Sequence, residues 1–226
     1  TAPTVTEETA VTTHTNDTTP NYTFSTNEAG TITYGGSCSS STTSAISGNN
    51  PITLNSLSEG TYSNCTITVT DSLGHASSAL SVSTFVVDTT APSVSSFTLS
   101  DTELKAGDNA TVTLVFSEAV ASFSSDDDIT AAGTAGAADN GSLATMTSSD
   151  NKTWEGTFTP PANTEDDNNT LSLATSYTDL AGNAGPAATT ANYAIDTLLP
   201  TISSVTAGWG TYLNATEDNF TGTVTV

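Results

Sequence analysis

The sequence predicts an all-β fold, a linear series of β-sandwiches. Three observations carry this: the side-chain composition, a two-residue apolar alternation, and a stretch of punctuation that recurs along the chain. Of 226 residues, 35% are apolar, a low share that still suffices for thin β cores. Ser, Thr, Asn and Asp fill most of the remainder, and the Glu, Lys, Arg and Leu that favour helices are scarce. Thr and Val in alternation suit a pleated, half-buried surface. Toward the middle, Val112, Leu114 and Phe116 alternate with polar residues, so one face is buried. Trp154 and Phe158 do likewise, as do Leu171 and Leu173 ahead of Tyr177. Earlier strands are marked by Tyr22 and Phe24, Ile32 and Tyr34, Ile67 and Val69, and Val82 and Val86. Asp139-Asn-Gly141 is a hairpin signal.

The punctuation divides the chain. It opens Thr1-Ala2-Pro3. Phe85-Val-Val-Asp88-Thr-Thr-Ala-Pro92 closes one unit and opens another, and Tyr193-Ala-Ile-Asp196-Thr-Leu-Leu-Pro200 does so again. Pro3 to Pro92 spans 89 residues and Pro92 to Pro200 spans 108, close to the roughly 100 of an immunoglobulin-like sandwich. Each proline lacks an N–H and fixes φ, which ends a ladder and stiffens the link. The expected domains are residues 1–90, 91–198 and 199–226. The last is only the first two strands of a third unit, because Pro200 to Val224 is 24 residues, as is Pro92 to Phe116.

Two cysteines, Cys38 and Cys65, in a Thr/Ser-rich chain that reads as secreted suit a disulfide better than a metal pair. Glu59-Gly-Thr-Tyr62-Ser-Asn-Cys65 has the form of a tyrosine corner before strand F, though an ordinary core tyrosine fits as well. A Cys38–Cys65 bond would join the chain after the Tyr34 strand to strand F.

Charge excludes several partners. Twenty-four carboxylates oppose only Lys105 and Lys152, a formal charge of −22. Such a surface cannot neutralise phosphates, so nucleic acid and anionic membranes are poor partners. No run of 18 apolar residues and no secretory apolar segment occurs, so membrane insertion is not expected of this segment. Divalent cations would relieve the clustered part of the repulsion. A solubilising acidic surface of the halophile kind is the alternative.

Acidic residues recur at matching loops. Phe24-Ser-Thr-Asn-Glu28 and Phe116-Ser-Glu118 follow the second strand of each unit, and Asp71-Ser-Leu-Gly-His75 and Asp179-Leu-Ala-Gly-Asn183 precede the last. In a sandwich these BC and FG loops share one end, where the incoming linker arrives. Asp88 is therefore expected beside Glu118 and Asp179, a convergence costly for bare anions and natural for a calcium ion. Asp196 is expected at the next link, with Glu217 or Asp218, and Glu28 and Asp71 would await an Asp from a preceding unit. Asp-x-x-Gly is also a plain turn. Asp126-Asp-Asp128 and Glu165-Asp-Asp-Asn-Asn169 read as solvated loops. Motifs of metalloproteases, α/β-hydrolases and phosphate loops are absent, and no Cys-x-x-Cys occurs. His14 and His75 have no evident nucleophilic partner. No enzyme is expected.

Asp88-Thr-Thr-Ala-Pro92, Phe116-Ser-Glu118-Ala-Val, Trp154-Glu-Gly-Thr-Phe-Thr-Pro-Pro161 and Tyr177-Thr-Asp-Leu-Ala-Gly-Asn183 resemble the bacterial Ig-like repeats that form extender regions of large secreted adhesins and biofilm proteins. The first unit resembles a sister class with a cysteine pair. The resemblance implies an extracellular, cell-surface module with calcium at Asp88, Glu118, Asp179 and Asp196 stiffening a rod, and neighbouring repeats as partners. His75 departs from the Asn usual in that loop. Two other readings remain: a module gripping a glycan or host protein directly, with Trp209 and Tyr212 as its aromatics, and accessory domains of a secreted enzyme.

Overall fold

A computed structural model describes residues 1–134, 140–206 and 223–225. Among the described residues the chain is all-β apart from one four-residue helix, Ser125–Asp128. Its buried apolar side chains form two separate clusters, one spanning Val11 to Val87 and one spanning Phe97 to Ile195.

In the first cluster, Val5–Thr9, Asn21–Thr26 and Gly48–Thr53 make a three-stranded sheet, and Gly30–Gly35 and Thr66–Thr70 form the centre of a four-stranded one. Alternation does the work foreseen for it: Tyr22, Phe24 and Ile52 from one sheet and Ile32, Ile67 and Val69 from the other enter the same core. Phe85–Val87 pairs with Gly60–Tyr62. Here Phe85 and Val87 point inward and Val86 is only half-buried, so the strand runs one residue out of phase with the expected Val82–Val86 alternation. A register slip of one exchanges the faces, and Val82 is buried but lies outside the strand.

Cys38 and Cys65 are disulfide-bonded. They lie just beyond the paired ends of Gly30–Gly35 and Thr66–Thr70, where Gly35 opposes Thr66, so the bond closes two adjacent strands of one sheet. Nearby, the Tyr62 hydroxyl donates to the Ser58 carbonyl at 2.8 Å and its ring stacks on Phe85 at 5.2 Å. A hydroxyl returned to backbone a few residues upstream is the geometry of a tyrosine corner.

The second cluster lies between Val94–Leu99, Ala110–Phe116, Thr153–Thr159 and Ser142–Leu143 on one side and Glu103–Lys105, Tyr193–Asp196, Glu165–Leu173 and Ile129–Gly133 on the other. Phe116 and Phe158 are fully buried, Phe116 against Tyr177 at 4.9 Å and Phe158 against Tyr193 at 5.3 Å. Glu103–Lys105 runs parallel to Tyr193–Asp196, a short edge strand with no alternation long enough to reveal it. Two acidic stretches correct the sequence reading. Glu165–Asn169 opens a nine-residue strand in which Asp166 and Asn169 are buried. Asp126–Asp128 lies in the short helix, and Asp128 is buried, accepting from the Ser124 N–H at 2.8 Å and the Ser176 hydroxyl. Beyond this cluster, Ser204–Thr206 pairs antiparallel with Thr223–Thr225. Among the described residues no helix is long and apolar enough to cross a membrane.

The disulfide closes 27 residues. Removing it by Cys38→Ser with Cys65→Ser should cost the first core about 3 kcal/mol. In a Trp209→Phe background, urea denaturation followed by far-ultraviolet dichroism should show that loss as an earlier first transition, while Trp154 fluorescence, which reports the second core, should keep its midpoint.

Candidate metal centre

Glu118 and Asp179 meet because of strand pairing. Val120 opposes Asp179 and Ala121 opposes Thr178, which brings the residue two before Val120 beside the Asp that ends the facing strand. Asp88 arrives from the other core, directly after Phe85–Val87. Two backbone bonds fix its exit: Asp88 N–H donates to the Thr15 carbonyl, and Thr15 N–H to the Val86 carbonyl, each at 2.9 Å. The linker is then clamped to the loop carrying Glu118, since Ser117 N–H donates to the Ser93 carbonyl at 2.8 Å and Ser93 N–H to the Ser117 hydroxyl at 2.9 Å. The result is one carboxylate oxygen each from Asp88, Glu118 and Asp179, all within 4.8 Å of one another.

The Asp179 loop is a genuine Asx turn as well as a site. Its Oδ1 accepts from the N–H groups of Ala181 at 2.8 Å and Asn183 at 2.9 Å. Turn and ligand readings are therefore compatible, because the backbone donors of the turn use Oδ1 alone. Asn183 links the parts: its amide nitrogen donates to Asp179 Oδ2 at 2.7 Å and to the Asp88 carbonyl at 2.9 Å. Asp88 Oδ1 in turn accepts from the Thr90 N–H at 3.0 Å.

The electrostatics are those of crowded anions. Burial first, then the charges of Asp88, Asp179 and Glu59, raise the Glu118 pKa above its ordinary 4.5, with Lys152 opposing. Glu59 stands on the same side of the junction and accepts from the Thr90 hydroxyl at 2.6 Å and the Thr89 hydroxyl at 3.2 Å. Those hydroxyls hold its own pKa below the usual carboxylate value. An open groove of about 450 Å³, lined by Glu59, Asp88, Thr90, Ser117 and Glu118 among others, gives solvent access. Three carboxylates with no nitrogen or sulfur donor suit a hard, oxygen-seeking cation. The donor set fits calcium.

The first core repeats the scaffold at its own end. Thr4 and Asn27 exchange bonds as Ser93 and Ser117 do, Thr4 N–H to Asn27 Oδ1 at 2.8 Å and Asn27 N–H to the Thr4 carbonyl at 3.3 Å. Asp71 Oδ1 accepts from Leu73 N–H at 2.8 Å and His75 N–H at 2.9 Å. His75 Nδ1 lies 2.9 Å from Asp71 Oδ2, in the role of Asn183. Glu28 is half-buried and accepts from the Thr1 hydroxyl at 3.3 Å. Among the described residues the metal-competent trio is Asp88, Glu118 and Asp179; Glu28 and Asp71 are not drawn into such a group. Asp196 is exposed, paired in register with Lys105 and Glu165. Its expected partners Glu217 and Asp218, and the aromatics Trp209 and Tyr212, lie outside the described residues. Sequence reading missed two participants. Glu59 was masked by its place ahead of the tyrosine corner, and Asn183 looked like a turn residue; only its spacing from Asp179 could have suggested an orienting amide.

Comparison with known proteins supports the architecture. Residues 88–195 match the family described as the bacterial Ig-like domain. Solved structures similar to the chain include the D0-D1 domain of intimin, at 17% identity over 82% of this chain and 96% of that one, with a TM-score of 0.27. The Escherichia coli adhesin FdeC is 13% identical over 92% of this chain and 67% of that one, TM-score 0.37. Domains 5-6 of the S-layer protein SbsC are 12% identical over 86% and 100%, TM-score 0.24. These scores are too low for any functional weight. No curated protein matches the chain.

A carboxyl whose folded pKa lies above its unfolded value penalises folding once ionised: the penalty is absent below the unfolded pKa and complete above the raised one. In chelator at pH 7, Glu118→Gln should therefore stabilise the chain by a few tenths of a kcal/mol, since the group is part-exposed and screened. At about pH 4 the gain should vanish. Urea denaturation at the two pH values measures the difference.

Proposed function

We propose that this chain is a structural extender of a bacterial cell-surface adhesin, a rod of Ig-like units whose junctions are stiffened by calcium. One observation carries the reading: carboxylates from two separately cored units converge within 4.8 Å where one unit hands over to the next. Bound calcium would supply positive charge that turns this repulsion into a tie.

The chain's own residues do the rest. Strand pairing holds Glu118 against Asp179, the Thr15 ladder presents Asp88, and Asn183 fixes both Asp88 and Asp179. Calcium takes six to eight oxygens, so backbone carbonyls and water would complete the shell. Extracellular calcium is plentiful enough to fill even a weak site of about 10⁻⁴–10⁻³ M. A disulfide also fits an oxidising exterior. The output is mechanical: a distal binding domain is held away from the surface, with no turnover in this segment. The halves most open to other readings are the ligand-gripping and accessory-domain alternatives, whose distinguishing parts would lie beyond the described residues.

Small-angle scattering with calcium and then with chelator tests the reading. The maximum dimension should fall and the flexibility rise on chelation, and Asp88→Ala should reproduce the chelated profile at the first junction in calcium. A profile unchanged by chelator overturns the proposal. Asn183→Ala, which removes only the orienting amide, should lower calcium affinity about 10–100-fold by titration calorimetry.

A further inference from the structure

We infer that the first junction carries a cation-independent latch, in which the Glu59 carboxylate of one unit and the Asn183 amide of the other both hold Thr90 of the linker. The inference rests on the reading of this junction as a stiff joint, and adds to it a tie that needs no ion.

Strand pairing places Glu59. Gly60 opposes Val87, so the residue before Gly60 stands across from Asp88, where the chain leaves the first core. From there the carboxylate reaches the next two linker residues: Oε2 accepts from the Thr90 hydroxyl at 2.6 Å and from the Thr89 hydroxyl at 3.2 Å. An ionised acceptor makes the shorter of these a charge-assisted bond. The second unit meets the same residue. One amide hydrogen of Asn183 goes to Asp179 Oδ2 at 2.7 Å. The other lies between the carbonyls of Asp88 at 2.9 Å and Thr90 at 3.3 Å. Thr90 is thus gripped from both sides.

These bonds leave the link little slack. Asp88 N–H is tied to the Thr15 carbonyl, and Ser93 is paired with Ser117. Between them, Pro92 has its φ fixed by its ring. Without Glu59 the first unit's hydrogen bonds to the linker would end at Asp88. Exposed to solvent, such a latch restrains rather than locks. Its effect is to keep Asp88 near Glu118 and Asp179 when no ion is bound, which lowers the ordering cost of binding one.

The following link shows what the latch needs. Glu165 opposes Asp196, as Glu59 stands across from Asp88. Leu198, two residues past Asp196, has no hydroxyl. Thr197 is buried and turned into its own unit, donating to the Pro161 carbonyl at 2.7 Å and accepting from the Thr164 N–H at 3.0 Å. A Glu across from the linker Asp is therefore not enough. The hydroxyl two positions past the Asp decides.

Small-angle scattering of the full chain, in chelator throughout, tests the latch. Thr90→Val keeps the branched shape and removes the hydroxyl, so its distribution of maximum dimension should be broader than that of the unaltered chain. Thr90→Ser keeps the hydroxyl and should match the unaltered chain, with far-ultraviolet dichroism confirming that both variants are folded. Coincident profiles for Thr90→Val and the unaltered chain overturn the latch, as does a Thr90→Ser profile as broad as that of Thr90→Val. The calcium reading fails separately, if the unaltered chain scatters identically with calcium and with chelator.

Discussion

Everything at the junction depends on like charges being forced together by hydrogen-bonded backbone. Val120 opposite Asp179, the paired bonds between Ser93 and Ser117, and the Thr15 clamp on Asp88 are all neutral interactions. Each is worth about 1 kcal/mol net. Together they hold three carboxylates within 4.8 Å of one another, and burial first, then the neighbouring charges, raises the Glu118 pKa. On the proposed reading, a bound cation would offset this repulsion and tie the two units together.

The overall charge of −22 gains meaning in this frame. A diffuse acidic surface favours solubility, and salt screens most of it. The clustered fraction is different, because carboxylates held within a few ångströms by a rigid scaffold are poorly relieved by monovalent salt. Only a multivalent ion matches them. Composition therefore announces the surface, while backbone pairing decides which few acids are concentrated.

The strands were legible because their faces alternate: Val112, Leu114 and Phe116 point inward as period two requires. The junction trio was also legible, since it follows from two loops sharing an end of a sandwich and a linker arriving there. Legibility failed where side chains leave that period. The phase of Phe85–Val87 was misjudged because Val82 is buried without belonging to the strand. Glu165–Asn169 looked solvated because five polar residues in a row carry no apolar signal. A register shift against Tyr193–Asp196 buries an acid and an amide three residues apart, and no local pattern encodes it. Glu59 was hidden for a related reason: its importance comes from Thr89 and Thr90, residues of the linker, and not from its own neighbours.

The two Asx loops show how one scaffold can be tuned. Asp71 and Asp179 make matching bonds to the residues two and four positions on, each between 2.8 and 2.9 Å. The difference is at the tip. Asn183 has two amide hydrogens and divides them between Asp179 Oδ2 and the Asp88 carbonyl, so it binds the incoming linker while it aims the carboxylate. His75 Nδ1 carries at most one hydrogen, and Asp71 Oδ2 engages it. With the same loop, the histidine can orient its own carboxylate but cannot use that nitrogen to hold a linker as well. A single residue in an otherwise unchanged turn therefore decides whether the loop's tip also grips the incoming linker.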